Sequence, residues 1–456
     1  MIETITSINS TVNGIVWGLP ATALIFGVGL YLSIRTGFLQ FRKFGMVWKN
    51  TVGKIFQRTT EAGKGAVTPF QAVCTALAAT VGTGNIVGVA TAVKAGGPGA
   101  LFWMWIAAFF GMATKYAECL LAVKYRTVDA DGNISGGPMY YIENGLGKSY
   151  KPLAVMFAAF GVLCAYFGIG TFAQVNSIVE ITKITAGIPV MYTGIALTVG
   201  VAAVTIGGLK SIANVASKIV PAMAVLYFIT TVGILVCFAD KIPGAIGMVL
   251  QDAFTPTAAQ GGFLGATVML AMRSGVARGV FSNESGLGSA PIVAAAAKTK
   301  WAAEQGLVSM TGTFIDTIII CSLTGLSLIV TGAWCGPLKG AAMTDAAFAA
   351  AFPGFGSLLL MIGLVLFAFT TILGWNYYGE RCVEYLLGVK AIMPYRIIFI
   401  VLIACGPFLK LEEIWVLADI VNGLMAIPNL IALLALAGVV VAETKAYEKH
   451  LQENEK

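Results

Sequence analysis

The chain has 456 residues, of which 57% are hydrophobic and 11% charged, and its formal net charge is +7. Because soluble domains average about 25% charged residues, this composition excludes a soluble globular protein. The mean hydropathy of +0.84 indicates a polytopic membrane protein instead. The basic residues are spread over the loops between apolar segments, a distribution that argues against a nucleic-acid-binding surface.

Cysteine and histidine usage limits the chemistry available at membrane depth. The eight cysteines form no C-x-x-C pair, so the pattern predicts neither a disulfide framework nor a zinc site. The single histidine, His450, lies in the polar C-terminal tail. A membrane-embedded enzyme would need a nucleophile with its base, or a metal cluster, inside the apolar segments. We therefore expect the protein not to be an enzyme.

Apolar runs that approach or exceed the roughly 20 residues of a membrane-crossing helix recur about eleven times. The seventh run is too long and too rich in glycine to be one straight helix. The predicted spans are Ile15–Arg35, Phe70–Val93, Leu101–Ala122, Leu153–Val179, Val190–Ile206, Ile219–Phe238, Phe263–Ala297, Leu307–Thr331, Phe355–Tyr378, Tyr395–Leu409 and Ile414–Val441.

The loops between these spans differ in their lysine and arginine content. One alternate set is rich in both residues, whereas each loop of the other set carries a single lysine. Positively charged loops stay in the cytoplasm. The bias predicts a multi-pass protein of the cell membrane with an extracellular N-terminus and a cytoplasmic C-terminus.

Basic and apolar residues alternate at near-helical spacing from Phe38 to Phe56, between the first two spans. This pattern is typical of an amphipathic helix that lies on the inner leaflet. It serves as a surface anchor or, alternatively, as part of a gate.

The second span contains an interruption within Thr75–Val89, where Gly82 and Gly84 flank Thr83 and Asn85 follows. Glycine is unfavourable in a helix interior. A break there would free the carbonyls of Ala78, Thr80 and Val81 and the amides of Thr83 and Gly84. Interrupted helices at the bilayer midplane are typical of the binding sites of secondary transporters. The alternative is close helix packing, because Gly84 and Gly88 alone form a helix-contact motif.

A second glycine-rich interruption lies within Thr267–Pro291, in the seventh span. We place its break at Met272–Val276, facing the substrate. The two interrupted spans are five spans apart, and five is odd. The halves that they open must therefore have opposite orientations in the membrane, which is the inverted-repeat plan of ion-coupled carriers.

This plan divides the chain into five parts. They are an extra N-terminal transmembrane helix (1–36), a cytoplasmic amphipathic arm (37–68), a first five-helix repeat (69–240), a second, inverted five-helix repeat (241–442) and a cytoplasmic tail (443–456).

The segment Gly96–Gly111, with the sequence GGPGALFWMWIAAFFG, resembles the signature of the alanine or glycine:cation symporter family, also called the sodium:alanine symporter family. The run Ser282–Pro291 and the number of spans are similar to that family as well. The resemblance implies an all-α protein with the LeuT-type fold of the amino acid-polyamine-organocation superfamily. It also implies Na⁺-coupled import of alanine, with D-alanine and glycine as possible further substrates.

The run Val81–Asn85 is similar to the first broken helix of LeuT-type carriers. By this resemblance, the amides of Thr83 and Gly84 hold the substrate carboxylate, within a substrate site that also includes Thr80, Gly82 and Asn85. One Na⁺ is bound by the Asn85 side chain and the Thr80 carbonyl. A second Na⁺ is bound by a set of oxygens from two helices. These belong to Ala78, Val81, Phe367, Thr370 and Thr371.

Other polar residues within the spans are candidates for the same site. Asp316 is a lone carboxylate that completes the first ion site or, alternatively, pairs with Arg273 or Arg278. Gln174 contacts the substrate or makes a helix-to-helix hydrogen bond. From the second half we assign Met272, Ser274 and Gly275 to the substrate site. Lys115 and Glu118, three residues apart, form a self-contained pair, or Glu118 holds freed amides of a broken helix.

The sequence therefore predicts a symporter that works by alternating access on Na⁺ and a small neutral amino acid. We expect a monomeric transport unit in the lipid bilayer. A proton-coupled carrier of the same fold is the nearest alternative, and a channel is disfavoured because paired broken helices suit an occluding site.

Overall fold

The computed structural model describes residues 16–45, 66–128, 133–256, 267–408 and 411–454, together with Val12, Gly14 and Trp48. This part of the chain is almost entirely helical. Its one sheet is a short antiparallel pair, β1 (Thr127–Val128) and β2 (Ile134–Ser135), in which Thr127 lies opposite Ser135. The all-α architecture predicted from the composition is confirmed.

Seven helical segments within the described residues are long and apolar enough to cross a membrane, and a bent pair brings the number to eight. Two shorter apolar helices, Pro20–Arg35 and Val190–Thr205, accompany them. The chain is therefore a multi-pass membrane protein, while the count of eleven spans and the division into five parts stay predictions. The seven segments are Gly99–Lys124, Lys148–Ala186, Gly208–Cys237, Ala302–Thr331, Gly356–Leu387, Val389–Phe408 and Ala418–Ala435.

The described helices of the first half include a π-helical turn at Gly84–Gly88 and a 3₁₀ turn at Lys148–Tyr150. The α-helices are α1 Leu19–Arg35, α2 Leu39–Arg42, α3 Pro69–Thr80, α4 Val89–Gly96, α5 Gly99–Lys124, α6 Pro138–Leu146, α7 Lys151–Phe167, α8 Phe172–Ala186, α9 Val190–Thr205 and α10 Gly208–Cys237.

The second half has a longer π-helical run, Phe314–Cys321, and four 3₁₀ turns at Ala239–Lys241, Ala333–Cys335, Val389–Ala391 and Gly406–Phe408. Its α-helices are α11 Ile242–Asp252, α12 Val268–Asn283, α13 Ala290–Ala294, α14 Ala302–Thr313, α15 Ser322–Thr331, α16 Gly340–Ala351, α17 Gly356–Leu387, α18 Ile392–Cys405, α19 Leu411–Ala435 and α20 Ala437–Asn454.

The first predicted interruption is confirmed as a bend of 52° between Pro69–Thr80 and Gly84–Gly96. Helix α3 begins with a capping box, in which the Gln71 amide donates to Thr68 Oγ1 and the Thr68 amide donates to Gln71 Oε1, each at 3.1 Å. It ends at Val81, whose ψ of 91° is extended rather than helical. The chain then restarts as the π-helical turn, so the helix stops and resumes as the glycine pattern predicts.

The second interrupted span is present, but the predicted position of its break, Met272–Val276, is wrong. Helix α12 runs without interruption through those residues to Asn283. The break follows at Glu284–Ser289, where Glu284, Gly286 and Gly288 have φ angles of 56°, 94° and 80°. Such positive values favour glycine, and they end the helix there.

Gly275 allows two helices to pack closely and does not interrupt its own helix. A Cβ atom at this position would lie 2.3 Å from the Ala100 carbonyl oxygen of α5. The missing side chain therefore lets α12 approach the backbone of α5 closely, as small residues do in membrane helix pairs. Helix α5 also packs against α14, so it lies at the centre of the structure.

The start of the predicted amphipathic arm packs on the protein. Helix α2 contacts α5, and the Phe41 and Phe44 rings lie 4.7 Å from those of Phe109 and Phe314. Most of the predicted arm, residues 46–47 and 49–65, lies outside the described residues. The arm therefore stays a prediction.

We expect Gly275→Ala to destabilise the protein, because the added methyl group meets a backbone carbonyl that cannot move aside cheaply. Overpacking of this kind costs about 1–3 kcal/mol. The measurement is the melting temperature of the purified protein in detergent. Gly247→Ala is the matched control, since nothing lies within 4 Å of a Cβ atom there. Equal melting temperatures for the two variants would contradict the packing role.

Candidate functional site

The freed peptide groups of the first break are held by two side chains. The Gly82 amide donates to Asn85 Oδ1 at 2.9 Å, and the Thr83 amide donates to Gln174 Oε1 at 3.3 Å. Thr83, Asn85 and Gln174 are each fully buried. Buried amides need hydrogen-bond partners, and here Asn85 and Gln174 supply them. Gln174 of α8 thus makes a helix-to-helix hydrogen bond at the break, one of its two predicted roles, and its contact with the substrate stays a prediction.

Asp316 lies beside the first break and is fully buried. Its Oδ1 accepts from Asn85 Nδ2 at 2.7 Å, and its Oδ2 accepts from the hydroxyls of Ser282 at 2.9 Å and Thr317 at 2.8 Å. We call Asn85, Ser282, Asp316 and Thr317 the carboxylate cluster. Three uncharged donors satisfy the Asp316 carboxylate, and no described Lys or Arg forms an ion pair with it.

The predicted alternative, in which Asp316 pairs with Arg273 or Arg278, does not hold. Arg278 donates to both carboxylate oxygens of Asp419, at 2.9 and 2.7 Å. Arg273 donates to the Trp17 carbonyl at 3.1 Å. Both arginines are therefore occupied elsewhere, and the Asp316 carboxylate is left to the polar residues of the cluster.

Local backbone geometry brings the cluster together. The π-helical run Phe314–Cys321 widens the helix that carries Asp316 and Thr317, as π-bulges do at many functional sites. Ser282 stands in the last turn of α12, directly before the second break. A Cβ atom on Gly84 would lie 3.2 Å from the Ser282 Cα. Glycine at that position allows the two interrupted spans to approach closely.

Three of the residues predicted for a second ion lie together. Thr371 Oγ1 lies 3.5 Å from the Val81 carbonyl oxygen and 3.0 Å from that of Phe367. A Cβ atom on Gly82 would lie 2.3 Å from Thr371 Oγ1, so α17 approaches the first break closely.

Thr370 and Ala78, also predicted for the second ion, and Thr80, whose carbonyl is predicted for the first, have no contact with the break through their side chains among the hydrogen bonds of the described residues. The Thr370 hydroxyl donates to the Phe367 carbonyl at 3.0 Å and lies 3.5 Å from Met223 Sδ, towards α10. The Thr80 hydroxyl donates within its own helix to Ala76 at 3.1 Å. Ala78 is fully buried in α3.

The residues predicted from the second half, Met272, Ser274 and Gly275, lie about two to three turns before the second break. Gly275 packs against α5, as described above. Ser274 lines a separate cavity of about 180 Å³ with Trp17, Arg273 and others. The residue of α12 that lies close to the first break is Ser282, which our sequence analysis missed. Its position in the run Ser282–Pro291 could have indicated a site residue, but that run was interpreted only as a resemblance to a family.

Glu118 holds the freed amides of the second break, which is the second of the two roles predicted for it. Its Oε1 accepts from the amides of Gly286 at 3.0 Å and Gly288 at 3.2 Å, and from Asn429 Nδ2 at 2.6 Å. Lys115 Nζ is buried and has no hydrogen-bond partner among the described residues. Glu118 thus joins α5 and α19 to the break and does not form a self-contained pair with Lys115.

Two polar atoms at the first break have no hydrogen-bond partner within the described part of the chain. They are Thr83 Oγ1 and Gln174 Nε2, and both are buried. Leaving such groups unpaired costs about 1–3 kcal/mol each. An unpaired hydroxyl and an unpaired amide beside a buried carboxylate therefore indicate a site for a polar ligand.

The donor atoms at the first break indicate which class of metal ion can bind there. Within the described residues, no group of three or more His, Cys, Asp or Glu side chains could hold a metal ion. The polar groups at the first break are carboxylate, amide, hydroxyl and carbonyl oxygens, which suit a hard cation rather than a transition metal.

The chain is similar over nearly its whole length to known proteins. A family model described as the sodium:alanine symporter family matches residues 2–456. The chain is 55% identical over 453 residues to an uncharacterised transporter of Haemophilus influenzae, covering 99% of this chain and 98% of that one. It is 49% identical over 455 residues to the sodium/alanine symporter AgcS of Methanococcus maripaludis, covering 98% of each chain.

Among solved structures, the fold is similar to that of MhsT in complex with L-phenylalanine, with a TM-score of 0.56 at 12% identity. The match covers 84% of this chain and 99% of MhsT. At this identity the likeness concerns the fold alone, and it confirms the predicted LeuT-type architecture.

We expect Glu118→Ala to lower the melting temperature, because it removes the acceptor of two buried amides and costs about 1–3 kcal/mol for each. Thermal unfolding in detergent measures this effect. Glu443→Ala is the control, since Glu443 pairs with Lys124 at a partly exposed site. An unchanged melting temperature for Glu118→Ala would show that the second break does not depend on this carboxylate.

Proposed function

Because the chain belongs to the sodium:alanine symporter family, we propose that it imports alanine together with Na⁺, with D-alanine and glycine as further substrates. The protein is a membrane transporter and not an enzyme. The observation that carries the proposal is the pair of unpartnered buried groups, Thr83 Oγ1 and Gln174 Nε2, beside the carboxylate cluster.

In this proposal the carboxylate cluster binds one Na⁺. Asn85, Asp316 and the Thr80 carbonyl are the predicted ligands, and Ser282 and Thr317 add hydroxyl oxygens next to Asp316. Asn85 Nδ2 and the two hydroxyl groups donate to the Asp316 carboxylate. A bound cation competes with these donors for the Asp316 oxygens, and Asn85 and the hydroxyls then offer their own oxygens.

A second Na⁺ is proposed between α3 and α17. The supporting geometry is the approach of Thr371 Oγ1 to the carbonyl oxygens of Val81 and Phe367. The carbonyl of Ala78 and the hydroxyl of Thr370 complete the proposed set. All of these ligands are oxygens, as a hard cation requires.

The substrate is proposed to lie at the first break. The amides of Thr83 and Gly84 suit a carboxylate, and the unpaired Gln174 Nε2 adds a further donor. Space is limited, because Gly84 lies against Ser282 and Gly82 lies against Thr371. This close packing favours a substrate with a small side chain or none, such as alanine or glycine. Ser282 takes the place first assigned to Met272, Ser274 and Gly275.

Alternating access needs closures at both ends of the pathway, and buried ion pairs offer candidates. At one end, Arg278 of α12 binds Asp419 of α19, and the Trp17 indole donates to the Asp419 carbonyl at 2.8 Å. At the other end, Glu380 binds Arg381 at 2.7 Å and Arg396 at 2.6 Å. By the lysine and arginine bias, the first closure faces outward and the second faces the cytoplasm of a cell-membrane protein that transports as a monomer.

A test uses purified protein in proteoliposomes with radiolabelled L-alanine. Uptake should require Na⁺ outside, fall to background in choline, and increase with an inside-negative potential, because a zwitterion moves with positive charge. D-Alanine and glycine should compete with the substrate, and leucine should compete poorly.

Undiminished uptake in choline, driven instead by a pH gradient, would reject Na⁺ coupling and favour the proton-coupled alternative. Uptake that rises linearly without saturation would favour a channel.

A further inference from the structure

A thiol lies against the carboxylate cluster. Cys321 Sγ is 3.3 Å from Asn85 Nδ2 and 3.3 Å from Ser282 Oγ. The residue is fully buried and ends the π-helical run that begins two residues before Asp316. Cys321 therefore contacts one residue from each interrupted span, at the point where the two spans approach each other.

Cys321 belongs to a buried hydrophobic cluster with Val89 and Leu328, and its thiol also contacts the polar carboxylate cluster. Thr83 Oγ1 and Gln174 Nε2, at the same break, are buried without a partner among the described residues. The neighbouring Asp316 carboxylate is satisfied only by uncharged donors. A polar ligand entering this region would meet the cluster oxygens and the Cys321 sulfur together.

Sulfur and oxygen are unequal ligands for Na⁺. A hard cation prefers oxygen, whereas thiol sulfur is larger and suits soft metals. The Asn85 amide and the Ser282 hydroxyl contact the Asp316 carboxylate directly, and Cys321 Sγ contacts the same amide and hydroxyl. The sulfur thus lies beside the proposed oxygen ligands without offering a comparable ligand.

We propose that Cys321 is a specificity-determining residue of the first cation site, an inference that rests on the proposed function. Its thiol occupies a ligand position with a poor ligand and so keeps the affinity for Na⁺ low. A low affinity favours release of the ion into the cytoplasm after transport. A hydroxyl at the same position supplies another hard ligand, binds Na⁺ more tightly and slows release.

The experiment compares Cys321→Ser and Cys321→Ala with wild type and with Cys74→Ser. Cys74 is another buried cysteine, and it lies about two turns before the first break on α3. Two quantities are measured: the Na⁺ concentration for half-maximal alanine uptake, and the rise in melting temperature that Na⁺ causes without substrate.

We expect Cys321→Ser to lower the half-maximal Na⁺ concentration about threefold or more and to enlarge the Na⁺-dependent rise in melting temperature, because tighter binding stabilises the folded state. The maximal uptake rate should fall. Cys321→Ala removes the sulfur without adding an oxygen, so it should not increase the Na⁺ affinity. Cys74→Ser should match wild type. Cys321→Thr carries the same hydroxyl and replaces the serine variant if that variant does not fold.

Wild-type Na⁺ dependence in the hydroxyl variants would overturn the proposal. An equal gain of affinity in Cys321→Ala would also overturn it, since added space rather than an added oxygen would then be responsible. Failure of the proposed function is distinct from both results, because it would appear in wild type as alanine uptake that is independent of Na⁺.

Discussion

The structure depends on one requirement: peptide groups that leave a helix inside a membrane must find hydrogen-bond partners within the protein. The two interrupted spans meet this requirement differently. Asn85 and Gln174 hold the amides of the first break, and Asn85 also donates to Asp316, whereas Gln174 Nε2 has no partner among the described residues. Glu118 holds two amides of the second break through one carboxylate oxygen and also accepts from Asn429. The first break thus leaves Thr83 Oγ1 and Gln174 Nε2 available for a ligand, whereas the second is joined to α5 and α19, with Glu118 Oε2 unpaired among the described residues.

The partners of the buried carboxylates also differ between the breaks and the rest of the structure. Buried carboxylates away from the breaks are paired with arginine: Asp419 with Arg278, and Glu380 with Arg381 and Arg396. Pairing removes the cost of an isolated buried charge. Asp316 instead has only hydroxyl and amide donors, which support a carboxylate without neutralising it. Glu118 and Glu284, at the second break, likewise have only uncharged hydrogen-bond partners. Asp316 differs from them in its contact with Asn85 of the first break.

The sequence was most informative where one local feature determines the backbone. Gly82 and Gly84 beside Asn85 predicted the first break, and the odd separation of the interrupted spans predicted an inverted-repeat plan, which stays a prediction. The LeuT-type fold came from the family resemblance and not from the span count. The second break was misplaced because glycine has two uses that look alike in a sequence. Gly275 lets two helices pack closely, whereas Gly286 and Gly288 adopt positive φ. Ser282 and Cys321 were missed because their proximity to Asn85 and Asp316 arises only from tertiary packing. Thr317 follows Asp316 directly in the sequence, but the orientation of its hydroxyl towards the carboxylate is set by the fold.

The central claim is that Asn85 and Asp316, from different halves of the chain, act on one cation. A double-mutant cycle tests it most directly, with Asn85→Ala, Asp316→Ala and the double variant compared by the rise in melting temperature that Na⁺ produces. Residues of one site are coupled, and residues of separate sites usually add within about 0.3–0.5 kcal/mol. We predict that either single variant removes most of the Na⁺ effect and that the double variant removes little more. Additive losses, or a full Na⁺ effect in either single variant, would contradict the account.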